Sequence, residues 1–152
     1  MEKKPKIYVA HTLGIRDNVE KEYFPILNKY FTVIDPFESR RALFRGKNEE
    51  EIREMIKDIE TSSWPVSHDI RDINQCDVLL MINTAGPSYG SIFEVAHAHQ
   101  IMDIPCIAIV KKEYLWHPWL NDYCITVTDD FDIAMFSLHT YFGFEYKRDE
   151  DE

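Results

Sequence analysis

Two stretches of the chain, Asp77–Ile82 and Ile104–Val110, are apolar at almost every position. Short continuous apolar runs of this length predict strands that are buried on both faces. Strands of that kind are typical of a parallel sheet covered by helices on both sides. Three further short runs predict the remaining strands of the sheet: Lys6–Ala10, Phe31–Ile34 and Tyr123–Val127.

The segments between these strands carry helical patterns. Apolar residues recur at helical spacing in most of them, and Glu38–Lys47 predicts either a loop or a short helix. Because parallel strands need right-handed crossovers, the order predicts a single-domain α/β fold, a doubly wound (Rossmann- or flavodoxin-like) five-stranded parallel sheet with helices on both faces. We predict a domain over 1–145 and an acidic, disordered tail over 146–152. The predicted helices are Val19–Tyr30, Ile52–Ile59, Val66–Gln75, Ser91–Met102 and Asp129–Phe142.

The net charge of the chain limits the ligands that we expect. The formal charge is −10 over 152 residues, so the average field repels a nucleic acid polymer. A small anion is still compatible with this charge, because a helix N-terminus or an arginine can reverse the sign locally.

Membrane and redox signals are absent from the sequence. No run of eighteen apolar residues is present, so we expect no membrane span. The residues Met1–Pro5 lead directly into a strand without the apolar region of a secretory signal, which predicts a cytoplasmic protein. The three cysteines are widely spaced, so we expect small core residues and neither a disulfide framework nor a metal site. They are Cys76, Cys106 and Cys124.

The segment AGPSYGSIFEVAHAH, residues 85–99, carries the most informative chemistry. A turn-forming run leads into a helix, and Glu94 lies one turn inside that helix. Ligands of doubly wound sheets bind beyond the carboxyl ends of the strands, where this loop is expected. The helix N-terminus favours an ionised carboxylate, and such a carboxylate can act as a nucleophile.

The order and spacing of three motifs resemble the nucleoside 2-deoxyribosyltransferase superfamily, which includes transferases and 2'-deoxynucleoside 5'-phosphate N-hydrolases. Its members begin with an I-Y-x-[AC] strand, carry an aspartate ahead of an [AC]-D-x-x-[VL] strand, and place a nucleophilic glutamate in the next helix. The matching segments here are IYVA with Tyr8, Asp69 before CDVLLMI, and Glu94 in GSIFE. The resemblance covers about residues 6–110.

The resemblance implies a mechanism with two carboxylates. Glu94 attacks C1' of the sugar and forms a glycosyl ester, Asp69 assists departure of the base, and Tyr8 orients Glu94. Water or a second base then releases the sugar, so hydrolysis and transfer both remain open. No cofactor and no metal is implied, and the family implies a homodimer or higher homo-oligomer.

The same resemblance implies which residues bind the substrate. The run Pro-Ser-x-Gly before Glu94 is similar to the nucleotide hydrolases, in which a serine replaces an aspartate of the transferases. A nucleoside or its 5'-monophosphate is the implied ligand, and the preferred base, the sugar and the need for a phosphate stay open. The implied substrate-binding residues are Ser88, Gly90 and Ser91 in this run, and His11, Thr12, Gly14 and Arg16 in the first loop.

Two other functions fit parts of the sequence. The run PSYGSIFE also resembles, more weakly, the Pro-Gly-Gly-x-Gly-Thr-x-x-Glu motif of cytokinin-activating phosphoribohydrolases. A non-catalytic nucleotide sensor could keep the fold without the chemistry. For His97 and His99 we expect packing roles, and Trp116 and Trp119 could stack on a base or anchor a loop.

Overall fold

The computed structural model describes residues 3–61 and 64–147. Its five strands form one sheet in the order β2-β1-β3-β4-β5, and every neighbouring pair is parallel. This confirms the predicted doubly wound α/β fold. The strands are β1 (Lys6–His11), β2 (Thr32–Ile34), β3 (Val78–Asn83), β4 (Cys106–Val110) and β5 (Thr126–Thr128).

Helices connect the strands of the sheet. The first connection opens with a 3₁₀ turn (Leu13–Ile15) and continues through α1, a π-helical turn (Val19–Tyr23) and α2. The α-helices are α1 (Arg16–Asn18), α2 (Phe24–Tyr30), α3 (Pro36–Phe44), α4 (Glu49–Thr61), α5 (Trp64–Ile73), α6 (Tyr89–Gln100), α7 (Pro118–Tyr123) and α8 (Phe131–Phe142).

The side chains of each central strand divide between two cores, because successive residues of a strand point to opposite faces. Ile7 and Val9 of β1 join the core on the side of α2 and α8. Tyr8 and Ala10 join the core on the other side, which includes Val95 of α6. The two faces of β1 therefore deliver side chains to different environments, and this alternation decides which predicted residues can meet.

Two of the differences from the predicted boundaries have clear local causes. β5 begins at Thr126 instead of Tyr123, because Pro118 starts a helix that continues to Tyr123. The segment after β2 forms α3, whose N-cap is Asp35: the Asp35 carboxylate accepts a hydrogen bond from the Phe37 N–H at 3.0 Å.

The end of the chain packs further than the predicted domain boundary. Tyr146 is buried, and its hydroxyl donates a hydrogen bond to Asp132 Oδ1 at 2.6 Å. The packed domain therefore includes Tyr146, and residues 148–152 of the predicted tail lie outside the described residues.

All three cysteines are buried free thiols, as predicted for core residues. Burial raises the pKa of each thiol to about 12. In the described part of the chain, no helix has both the length and the apolar character needed to cross a bilayer.

Candidate active site

A tyrosine from β1 meets the predicted nucleophile on α6. The hydroxyl of Tyr8 donates a hydrogen bond to Glu94 Oε1 at 3.0 Å. The Tyr8 side chain is fully buried, whereas Glu94 is half-buried. A phenol held by the sheet thus fixes the direction of a carboxylate that still reaches solvent. Of the predicted catalytic groups, these two are joined directly by a hydrogen bond.

Asp69 lies on α5, the helix that packs beside α6 on the same face of the sheet. A hydrogen bond of 2.8 Å between His97 Nε2 and Asn74 Oδ1 links the C-terminal ends of the two helices. Asp69 is five residues before Asn74, and Glu94 is three residues before His97. With a rise of about 1.5 Å per residue, counted from this hydrogen bond, the positions of Asp69 and Glu94 differ by about 3 Å along the helix axes.

The loop before α6 presents backbone donors near Glu94. Gly86 has φ of 131°, a conformation that a side chain would strain, so the turn depends on glycine. Ser88 is the N-cap residue of α6, and its hydroxyl makes no capping hydrogen bond. Gly90 and Ser91 follow in the first turn, and Ser91 is buried. The free N–H groups of a helix start favour an anionic ligand about one turn above Glu94.

His11 does not face Glu94. It follows Ala10 in β1, so its side chain points to the face opposite Tyr8, where it meets the edges of Phe24 and Phe37. His11 Nδ1 is 2.9 Å from the Val9 carbonyl oxygen, and Nε2 has no partner among the described residues. Burial lowers the pKa of His11 below its ordinary value of 6.5.

Arg16 is held by carboxylates rather than left open for a phosphate. Its terminal nitrogens donate to both oxygens of Asp35, at 2.9 and 2.7 Å, and to Glu20 at 2.6 Å. The guanidinium also lies 5.1 Å from the centre of the Phe37 ring. Asp35, as the main partner, raises the pKa of Arg16. The two carboxylates therefore more than offset the positive charge of Arg16.

The other two predicted residues of the first loop lie near its surface. Thr12 is half-buried and makes no capping hydrogen bond with its side chain. Gly14 is exposed, with open space where a side chain would project.

The sequence-based prediction missed three polar residues on the Glu94 side of the sheet: His68, Asp72 and Asn83. His68 lies between Asp69 and Asp72, with Nδ1 3.9 Å from Asp69 Oδ1 and 3.5 Å from Asp72 Oδ2. Asn83 ends β3 on the same face as Tyr8, and its Oδ1 is buried without a partner among the described residues. The adjacency of His68 to Asp69 in SHDIRD was the only signal in the sequence.

A cleft lies at the opposite edge of the sheet, where the strands begin. This cleft has a volume of about 790 Å³. Lys4 Nζ donates to the Asn28 carbonyl near the end of α2, and the Lys6 N–H donates to Asp77. Two polar groups of this lining therefore already have partners within the protein. The lining includes Lys3, Lys4, Lys6, Tyr30, Gln75, Asp77, Phe142 and Phe144.

The fold and this geometry define a class: a doubly wound α/β protein with a tyrosine–glutamate pair on one face of its parallel sheet. Within residues 3–61 and 64–147, no group of three or more His, Cys, Asp or Glu side chains is arranged to hold a metal ion. The chain matches no protein-family model, and no curated protein matches its sequence.

Proposed function

We propose that the protein cleaves the N-glycosidic bond of a nucleoside or deoxynucleoside, or of its 5'-monophosphate, through a glycosyl–Glu94 intermediate. The hydrogen bond from buried Tyr8 to Glu94 is the observation that carries this proposal. A carboxylate oriented by a rigid phenol, one turn below a helix N-terminus, has the position that a nucleophile needs to attack an anomeric carbon.

The proposed reaction has two steps. Glu94 attacks C1' while the bond from C1' to the base nitrogen breaks, and Asp69 donates the proton or hydrogen bond that the leaving base requires. The resulting ester is then attacked by water, which gives hydrolysis, or by a second base, which gives transfer. The common height of Asp69 and Glu94 on neighbouring helices supports these separate roles.

Two features bear on the substrate's 5' group in opposite ways. The uncapped start of α6 with Ser88 favours a phosphate, because its N–H groups and hydroxyl remain available to an anion. Arg16, by contrast, is neutralised by Asp35 and Glu20. We therefore keep both the nucleoside and the 5'-monophosphate within the proposal, with α6 rather than Arg16 as the phosphate contact.

A homodimer or higher homo-oligomer that works in the cytoplasm is part of the proposal. Three aromatic side chains near the start of α6 and after β4 are largely exposed: Tyr89 (89%), Trp116 (87%) and Phe93 (72%). A second copy of the chain could cover them. The three free thiols fit a reducing compartment. Light scattering of the purified protein measures the oligomeric state. A monomer at the concentration used in the activity assay would contradict the proposed oligomer.

A substrate panel tests the function. The purified protein is incubated with ribo- and deoxynucleosides and their 5'-monophosphates, with and without a free acceptor base. Free base without acceptor indicates hydrolysis, and a new nucleoside formed only with acceptor indicates transfer. Tight binding without release would favour the nucleotide sensor instead.

Variants of Glu94 connect the panel to the site. We expect Glu94→Ala to abolish base release while the protein stays folded, because the half-buried carboxylate is replaced by a good helix former. Glu113→Ala, which removes an exposed carboxylate in the loop after β4, is the matched control and should keep full activity. Full activity in Glu94→Ala would overturn the mechanism.

A further inference from the structure

An imidazole lies between two carboxylates on the inner side of α5. His68 Nδ1 is 3.5 Å from Asp72 Oδ2, one helical turn away, and 3.9 Å from Asp69 Oδ1. The side chains are only 9% exposed for His68, 9% for Asp72 and 13% for Asp69. Three titratable side chains therefore lie together in one largely dehydrated cluster.

The spacing of the cluster gives its members different tasks. Asp72 is itself buried, and its Oδ2 lies nearer to His68 Nδ1 than Asp69 Oδ1 does, so its carboxylate is the closer neighbour of the imidazole. A movement of about 1 Å would bring His68 Nδ1 within hydrogen-bond distance of Asp69 Oδ1. His68 therefore stands beside the carboxylate to which the proposed reaction assigns departure of the base.

We propose that His68 is a positioning residue that returns a proton to Asp69 during the proposed reaction; this inference rests on the proposed function. As the bond from C1' to the base breaks, its electron pair goes to the base nitrogen, which takes the proton from Asp69. The proton on His68 Nδ1 then moves to Asp69 Oδ1. The water that attacks the glycosyl ester releases its proton to solvent, and His68 regains a proton from solvent, so the cycle balances.

The effect of a His68 substitution on kcat should depend on the leaving base if His68 supplies a proton, and should not depend on it if His68 is only structural. A guanine methylated at N7 already carries a positive charge in the nucleoside and leaves without being protonated. The substrates are therefore 2'-deoxyguanosine and its N7-methylated form, each as the nucleoside and as the 5'-monophosphate, with the uncatalysed release subtracted.

The variants are His68→Ala, His68→Asn and, as a matched control, His117→Gln, which changes an exposed histidine in the loop before α7. We expect both His68 variants to lose about tenfold or more in kcat on the unmethylated substrate, because assistance by a general acid is worth at least that much. On the methylated substrate their kcat should stay within about threefold of the wild type. His68→Asn keeps a polar side chain at this position but cannot pass on a proton, so it tests the role even where His68→Ala folds poorly.

Each outcome has a distinct consequence. An equal loss on both substrates would reduce His68 to a structural residue, and no loss on either would remove it from the reaction. Both results overturn the inference while the wild type remains an active glycosidase. If the wild type releases no base from these four substrates or from any other member of the substrate panel, the proposed function itself falls and takes this inference with it.

Discussion

Removing the hydroxyl of Tyr8 tests whether the phenol orients the nucleophile. Tyr8→Phe keeps the fully buried ring and deletes only the donor to Glu94 Oε1. A hydrogen bond to a charged group contributes about 1.5–3 kcal/mol. If that energy holds Glu94 in its attacking direction, kcat should fall about ten- to a hundredfold, since each 1.36 kcal/mol is worth about a factor of ten.

The assay compares steady-state base release by Tyr8→Phe and by Tyr141→Phe, a control that deletes a hydroxyl from the largely exposed Tyr141 of α8. We expect the loss in kcat rather than in KM, because the hydrogen bond acts on the enzyme and not on the substrate. A folded Tyr8→Phe with kcat within twofold of the wild type would refute the reasoning.

A thermodynamic cycle measures the same contact without any substrate. Denaturant unfolding of Tyr8→Phe, Glu94→Gln and the double variant gives their interaction energy, which we expect to lie between about 0.5 and 3 kcal/mol for groups in direct contact. Additive losses would show that the two side chains are neighbours without an energetic link.

Three further predictions concern stability and reactivity. Arg16→Ala should lower the free energy of unfolding by about 3–5 kcal/mol, since it leaves Asp35 buried without its partner; a loss below about 1 kcal/mol in urea titration would contradict this. The lowered pKa of buried His11 means that the unfolded chain binds more protons as pH falls below 6.5. Stability should therefore be lost as pH falls from 6.5 through the folded pKa, and His11→Asn should flatten that part of the profile in thermal unfolding. The buried thiols should react with a disulfide reagent at pH 8 only after unfolding, and fast labelling of the native protein would contradict their burial.

The sheet could be predicted from the sequence because its strands carry an unambiguous signal. The apolar runs that form β3 and β4 are too uniform and too short for surface helices, and they fix a parallel sheet with covered faces. β5 carried a weaker signal. The chain from Tyr123 onwards looks strand-like, but the helix that starts at Pro118 extends to Tyr123 and delays the strand.

The site was only partly accessible to prediction. Tyr8 and Glu94 could be paired from their motifs, and the structure places them 3.0 Å apart. The side on which His11 points depends on strand alternation, and the partners of Arg16 come from Glu20 and from Asp35, nineteen residues away. Glu20 is an i, i+4 neighbour of Arg16, but the contact with Asp35 arises only when the chain packs, so local sequence gives no account of it.

The most direct measurement of the central claim is the mass of the protein during turnover. A nucleoside with fluorine at the 2' position slows breakdown of the ester, so the glycosyl adduct should accumulate and map to the peptide that contains Glu94. Glu94→Gln should show no adduct. Base release by the wild type without any adduct, or an adduct on a different residue, would contradict a mechanism in which Glu94 is the nucleophile.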